Sequence, residues 1–141
     1  MVCSERDDPT HVVLRIRTAH ANDIASGTKN HEYREYELDK QVKFIWLFED
    51  ELQAIRYIMA TAAPKRPGEV RDPSGKGNVD FDEGRKASKF GYPVTELYKL
   101  PSAITAETLK RDFGMDMGNG RQYVTWRLAR AFPVPSLDRV M

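Results

Sequence analysis

The stretch Gly27-Thr28-Lys29-Asn30-His31-Glu32-Tyr33-Arg34 brings a lysine, a glutamate and an arginine into six residues, Lys29 to Arg34. Glu32 and Arg34 lie two apart, so on a strand they point to the same side. Lys29 stands at the entrance of that strand, with a stem long enough to reach the same place. A carboxylate beside two cations stays ionised, and can accept a hydrogen bond from an exocyclic amine such as that of cytosine or adenine. Arg34 can bind a phosphate or pair with Glu32 itself. In an enzyme, Lys29 would activate a nucleophile and Glu32 would act as acid, base or substrate-orienting group. The plain structural alternative is an ion-pair cluster at the mouth of a sheet or barrel.

The surrounding elements decide whether the three charges meet. His11 to Arg17 alternates Val12, Leu14 and Ile16 against Arg15 and Arg17, which predicts a strand. Thr18 is placed to cap a helix running to Ser26, and Gly27 suits the left-handed position just beyond it. Asn30 to Leu38 reads as a strand with Glu32, Arg34 and Tyr36 on one face and His31, Tyr33 and Glu35 on the other. Val42 to Phe48 is apolar enough for a buried strand, and Ala54 to Ala62 reads as another, although the spacing of Ile55, Ile58 and Met59 also allows a short helix. Residues 63–79 hold Pro64, Pro67, Pro73, Gly68, Gly75 and Gly77 and predict a long exposed loop, of a kind often functional or mobile. Asp80 is a cap for a short helix. Tyr92 to Leu100 reads as one strand, Thr105 as the cap of a helix to Phe113 closed by Gly114, and Arg121 to Leu128 as a last strand. Five or six strands with short helices, not alternating as βαβ units, predict an α+β fold with a curved sheet or small barrel.

Bulk composition narrows the setting. A chain of 141 residues, 40% hydrophobic and 30% charged, fits one domain with a real core. The net charge is +1, yet residues 1–61 carry 8 Lys/Arg against 11 Asp/Glu, and residues 110–141 carry 6 against 3. A basic C-terminal third can face phosphate. A single cysteine, Cys3, permits neither an internal disulfide nor a Cys-based zinc site and suits a reducing compartment. The three histidines, His11, His20 and His31, lack ligand spacing, so no metal and no cofactor are expected. The polar start lacks a signal-peptide core, and no apolar run reaches the roughly 18 residues of a membrane span. The expected setting is intracellular, cytoplasm or nucleus, away from membranes.

The pattern G-x-K-x-x-E-x-R at Gly27, Lys29, Glu32 and Arg34 resembles the signature of the ASCH domain, a branch of the PUA-like superfamily. The order around it is similar too: a V-L-x-I strand, a helix, the motif strand, then an apolar strand with Ile45-Trp46-Leu47. Later come Lys89-Phe90-Gly91-Tyr92 before a strand and Ile104-Thr105 at a helix start. The resemblance spans residues 11–128, with a flexible N-terminus at 1–10 and an irregular tail at 129–141. It implies a PUA-like small β-barrel of five to six strands with flanking short helices and a cleft on one side. It also implies RNA binding, RNA processing or coactivation; related EVE and YTH domains read modified bases in aromatic-lined pockets. One bacterial ASCH branch hydrolyses N4-acetylcytidine with a lysine, a threonine and a glutamate. Its lysine falls at Lys29, but its threonine falls where this chain has Glu32, so that mechanism does not carry over directly.

Weaker signals complete the expected site. Trp46 is a core anchor or the floor of a base-stacking pocket. Of Tyr33 and Tyr36, at most one shares the cleft of Arg34, and Tyr36 is the candidate. Trp126 and Tyr123 stand near Arg121 and Arg127, a mixture that suits single-stranded nucleic acid. Lys65, Arg66, Arg71 and Lys76 on the long loop could touch a phosphate backbone. The expected partner is RNA or a nucleotide-like ligand, held by Lys29, Glu32, Arg34, Trp46, Tyr36, Arg121 and Trp126. The alternatives are a hydrolase of a modified nucleoside or of RNA, using Lys29 and Glu32, and a protein-interaction module.

Overall fold

The alternating apolar residues of Val12 to Ile16 form the inner half of strand β1 (Asp7–Ile16) in a computed structural model that describes all 141 residues. Helix α1 (Thr18–Ala25) and strands β2 (His31–Arg34), β3 (Phe44–Glu49) and β4 (Ala54–Ala60) follow. Next come helix α2 (Asn78–Asp82) and strands β5 (Phe90–Pro93) and β6 (Glu96–Thr105). Helix α3 (Ala106–Phe113), strand β7 (Gln122–Thr125), helix α4 (Trp126–Ala131) and strand β8 (Asp138–Arg139) complete the chain. No helix is long and apolar enough to cross a membrane.

Six strands make one sheet in the order β7-β1-β3-β4-β6-β8, and β2 with β5 makes a separate ribbon. β1 and β3 run parallel, which requires a crossover; α1 and β2 supply it. Both faces of the sheet are covered. Ile45 and Leu47 face a cluster with Val12, Leu14, Ile24 and Tyr92, while Trp46 and Phe48 face another with Val13, Ile58, Leu109 and Leu128. This is why the β3 sequence is an unbroken apolar run rather than an alternation. The first cluster lies under α1 and the β2–β5 ribbon, and the second under α3 and α4.

The α+β class and the short flanking helices agree with the sequence. The sheet's hydrogen bonding ends at β7 on one side and β8 on the other, with no rung joining them. Three register shifts, at Asp8/Val12, Leu47/Phe48 and Ile55/Tyr57, bend and twist it.

Several local expectations are corrected. Residues 7–10 are strand rather than loose lead-in, because Asp7 and Asp8 pair with Thr125 and Val124. The tail is partly ordered by pairing: Asp138 and Arg139 join β6, and the Val140 N–H donates to the Leu97 carbonyl. The expected strand from Tyr92 to Leu100 breaks at Val94–Thr95, because its first part pairs with β2 and its second with β4. The expected strand from Arg121 to Leu128 becomes helix at Trp126, where the Thr125 hydroxyl accepts from the Leu128 N–H. Thr18 does not cap α1; its own N–H donates to Glu51, 2.8 Å away. Thr105 does cap α3, and Gly27 takes the expected left-handed backbone at φ 80°.

The Pro/Gly-rich segment before α2 is held from beneath. The Asp82 carboxylate accepts from the N–H groups of Gly68, Val70 and Arg71. Buried Asn78 donates to the Asn30 side chain and the Asp72 carbonyl. A Cβ at Gly75 would fall 2.3 Å from Asn78 and 2.5 Å from Asn30, so only glycine fits this crossing.

Candidate functional site

The three motif charges converge. The Lys29 ammonium donates to Glu32 Oε1 at 2.6 Å, and Arg34 donates to Glu32 Oε2 at 2.9 Å. The second reach of Arg34 goes to the Arg15 carbonyl at 2.8 Å, and a third to the Tyr36 hydroxyl at 3.2 Å. Each placement follows from a local cause. The left-handed turn at Gly27 ends α1 and delivers Lys29 to the start of β2, where its N–H closes back onto the Asp23 carbonyl. The two-residue repeat of β2 then sets Glu32 and Arg34 on one side.

Glu32 is 4% exposed. Burial pushes its carboxyl up, but the charges and hydrogen bonds of Lys29 and Arg34 outweigh burial and hold it below the usual carboxylate range. Burial acts against the Arg34 guanidinium too, and the Glu32 carboxylate overcomes it and raises its pKa. Two of the carboxylate's roughly four lone-pair positions are taken, which leaves acceptor capacity toward a ligand.

The pair opens on a cleft of about 360 Å³. Arg15, Arg17 and His20 line it from the β1–α1 corner, Lys29 from the entrance of β2, Glu32, Tyr33 and Arg34 from β2 itself, Asp50 from beyond β3, and Lys86 and Ser88 from the segment after α2. Five cations face two carboxylates. Arg15 is neutralised by Asp50 at 2.7 Å, and Lys29 and Arg34 share Glu32. Arg17 and Lys86 hold no carboxylate within salt-bridge distance, although the Arg17 charge is felt by Glu51. Lys86 sits 5.4 Å from the centre of the Tyr33 ring. His20 stands at the rim, its ring pKa pushed down by loss of solvent and then by the Lys29 ammonium.

The opposite face of β2 carries His31, behind the cleft, and Tyr33, whose ring reaches the cleft wall beside Lys86. His31 is buried, and its Nδ1 lies 2.8 Å from Asn30 Oδ1. That oxygen also accepts from Asn78, so the imidazole carries its proton on Nδ1. Burial, then the Lys65 charge, lowers its pKa to about 4. Tyr33 donates to Asn78 and packs on Phe81, and burial raises its phenol pKa. His31 lies outside the cleft, as the strand alternation predicts.

The other expected residues are scattered. Trp46 is fully buried on the far side of the sheet, where its indole donates to His11 Nδ1 at 2.9 Å; it is a core anchor and floors no pocket. Tyr36 reaches the edge of the site through Arg34, and the Arg121 guanidinium stacks on it 3.7 Å from the ring centre. Trp126 lies elsewhere, on α4. On the long loop, Lys76 is paired with Asp23 at 2.8 Å and Arg66 with Glu37 at 3.6 Å. The wall residues Arg15, Arg17, His20, Asp50, Lys86 and Ser88 were not legible as site residues. They come from three segments joined only by folding, although the outward alternation of Arg15 and Arg17 on β1 was visible.

No protein-family model matches the chain, and no curated protein does. Among solved structures, the crystal structure of ASCH from Zymomonas mobilis has a TM-score of 0.63 at 15% identity, covering 93% of this chain and 98% of that one. A mutant form of the same protein gives a TM-score of 0.63 at 15% identity over 94% and 99% of the two chains. A second mutant gives 0.66 at 13% identity over 92% and 99%. At such identities the likeness is one of fold, and it runs nearly end to end: the chain has the ASCH-domain fold.

Proposed function

We propose that this protein binds RNA, or a single nucleotide of it, in the cleft around Lys29, Glu32 and Arg34. One observation carries the reading: the cleft combines two cations held in no salt bridge, Arg17 and Lys86, with a buried carboxylate kept ionised between Lys29 and Arg34. Rim cations suit a phosphate backbone. Glu32 offers an acceptor of the kind a base's exocyclic amine seeks. The cleft volume is that of a small-ligand site, which suits one nucleotide, including a modified one, better than a duplex.

The test is the affinity of a labelled single-stranded RNA, measured by fluorescence anisotropy across a salt series. Lys29→Ala and Arg34→Ala should each weaken binding by about tenfold or more, since each removes a charge-assisted contact of about 1.5–3 kcal/mol. Unchanged affinity in both would end the reading at these residues.

A second reading, hydrolysis, rests on the 2.6 Å contact between Lys29 and Glu32 beside the ligand space. There Lys29 would polarise the scissile group and Glu32 would take a proton from water. Incubation with N4-acetylcytidine and with labelled RNA, followed by chromatography, decides it; absence of product from both removes it.

A further inference from the structure

Seven of the thirteen arginines hold an acidic side chain within salt-bridge distance. The surface is therefore one on which guanidiniums are generally neutralised. Three of the remaining six, Arg6, Arg127 and Arg130, line a single groove of about 700 Å³. Its other walls include Trp126, Phe113 and one carboxylate, Glu5. All three arginines are exposed. Trp126 is 39% exposed, whereas the only other tryptophan, Trp46, is fully buried.

The groove is built rather than incidental. The Thr125 hydroxyl starts α4 by accepting from the Leu128 N–H, which turns Trp126 outward on the first turn. Arg130 follows four residues later on the same helix face, its guanidinium 5.4 Å from the indole centre. The N-terminal segment is tied in by the Trp126 N–H, which donates to the Arg6 carbonyl at 2.8 Å. Asp7 pairs with Thr125 just beyond.

From this arrangement we infer that the groove of Arg6, Trp126, Arg127 and Arg130 is a second contact site for single-stranded RNA, with a base stacked on Trp126 and phosphates on the arginines. The inference takes its ligand class from the cleft reading, and rests on it for that alone. An exposed indole flanked by guanidiniums held in no salt bridge is the combination that holds single strands without reading sequence. Guanidinium matches phosphate oxygens in pairs. An acidic peptide would engage the arginines but leave the indole without a flat partner. The groove and the cleft lie beyond opposite ends of β1, with Arg6 just before the strand and Arg17 just after it. At the rise of an extended strand this is on the order of 30 Å, so the two sites can be altered independently.

The experiment titrates the full chain with a single-stranded oligoadenylate and follows both tryptophan fluorescence and affinity. Because Trp46 is sealed, quenching reports Trp126. Quenching is expected in the wild type and lost in Trp126→Phe, which keeps affinity within about threefold because phenylalanine still stacks. Trp126→Ala should lose about fivefold or more, the low end for one stacked base. Arg127→Ala with Arg130→Ala should reduce the slope of log affinity against log salt by about 1.4. No quenching, with affinity unchanged in Trp126→Ala, overturns the inference, and the cleft reading survives if Lys29→Ala still weakens binding. Loss in the groove variants without loss in Lys29→Ala sustains the groove and ends the cleft reading. Oligoglutamate that quenches Trp126 and binds as tightly as oligoadenylate overturns the nucleic-acid assignment.

Discussion

Glu32 and Glu49 are both carboxylates withdrawn from water, 4% and 0% exposed, and both are held by arginine. Glu49 accepts two hydrogen bonds from Arg56, at 2.7 and 2.8 Å, and the same guanidinium donates to Asn22 on α1. That pair sits where β3 and β4 slip register, and neither residue lines the cleft around Glu32. Glu32 has two cationic partners from two segments, and beyond them lies a basic cleft. Burial and pairing are common to both, so neither marks a site. What differs is the surplus: around Glu49 the charges close, while around Glu32 two rim cations stay open.

The comparison predicts effects that separate stability from binding. Arg56→Ala should have the largest stability effect, about 3–5 kcal/mol in urea unfolding, because it leaves Glu49 buried without its cation. RNA affinity of the folded fraction should not change. A loss of affinity as large as that of a cleft variant would break the distinction.

Acid gives the next largest effect. The His31 pKa falls from its ordinary 6.5 to about 4 in the folded protein. Its folded-state value is depressed, so its contribution is present above the unfolded value and lost as pH falls through that window. The loss is on the order of 3 kcal/mol. Glu32 is depressed from the carboxylate range and adds its loss only at lower pH. Unfolding measured from pH 7 to 4 should steepen through His31, with the depressed His11 and His20 adding to it, and His31→Phe should flatten it in part.

Lys29→Met leaves Glu32 with Arg34 alone and should cost about 2 kcal/mol. It should also weaken RNA binding, which Arg56→Ala does not. The smallest stability effect belongs to Arg17→Ala with Lys86→Ala. These exposed or half-buried cations form no salt bridge, so unfolding should shift by less than about 0.5 kcal/mol.

Much of this was legible because it is local. The period of two put Glu32, Arg34 and Tyr36 together, and the glycine after a short helix placed Lys29. Trp46 was ambiguous because β3 is buried on both faces; an unbroken apolar run cannot say which face meets a cleft. The break at Val94–Thr95 and the helix at Trp126 depend on which strand pairs with which, information that lies outside the segment itself. Arg17 and Lys86 are far apart in the chain, and no local pattern joins them.

The most direct test of the central claim is the salt dependence of single-stranded RNA affinity in Arg17→Ala with Lys86→Ala against wild type. Affinity should fall by about tenfold or more and the slope of log affinity against log salt by about 1.4, at unchanged stability. An unchanged affinity and slope in a folded variant would contradict the claim that this cleft receives RNA.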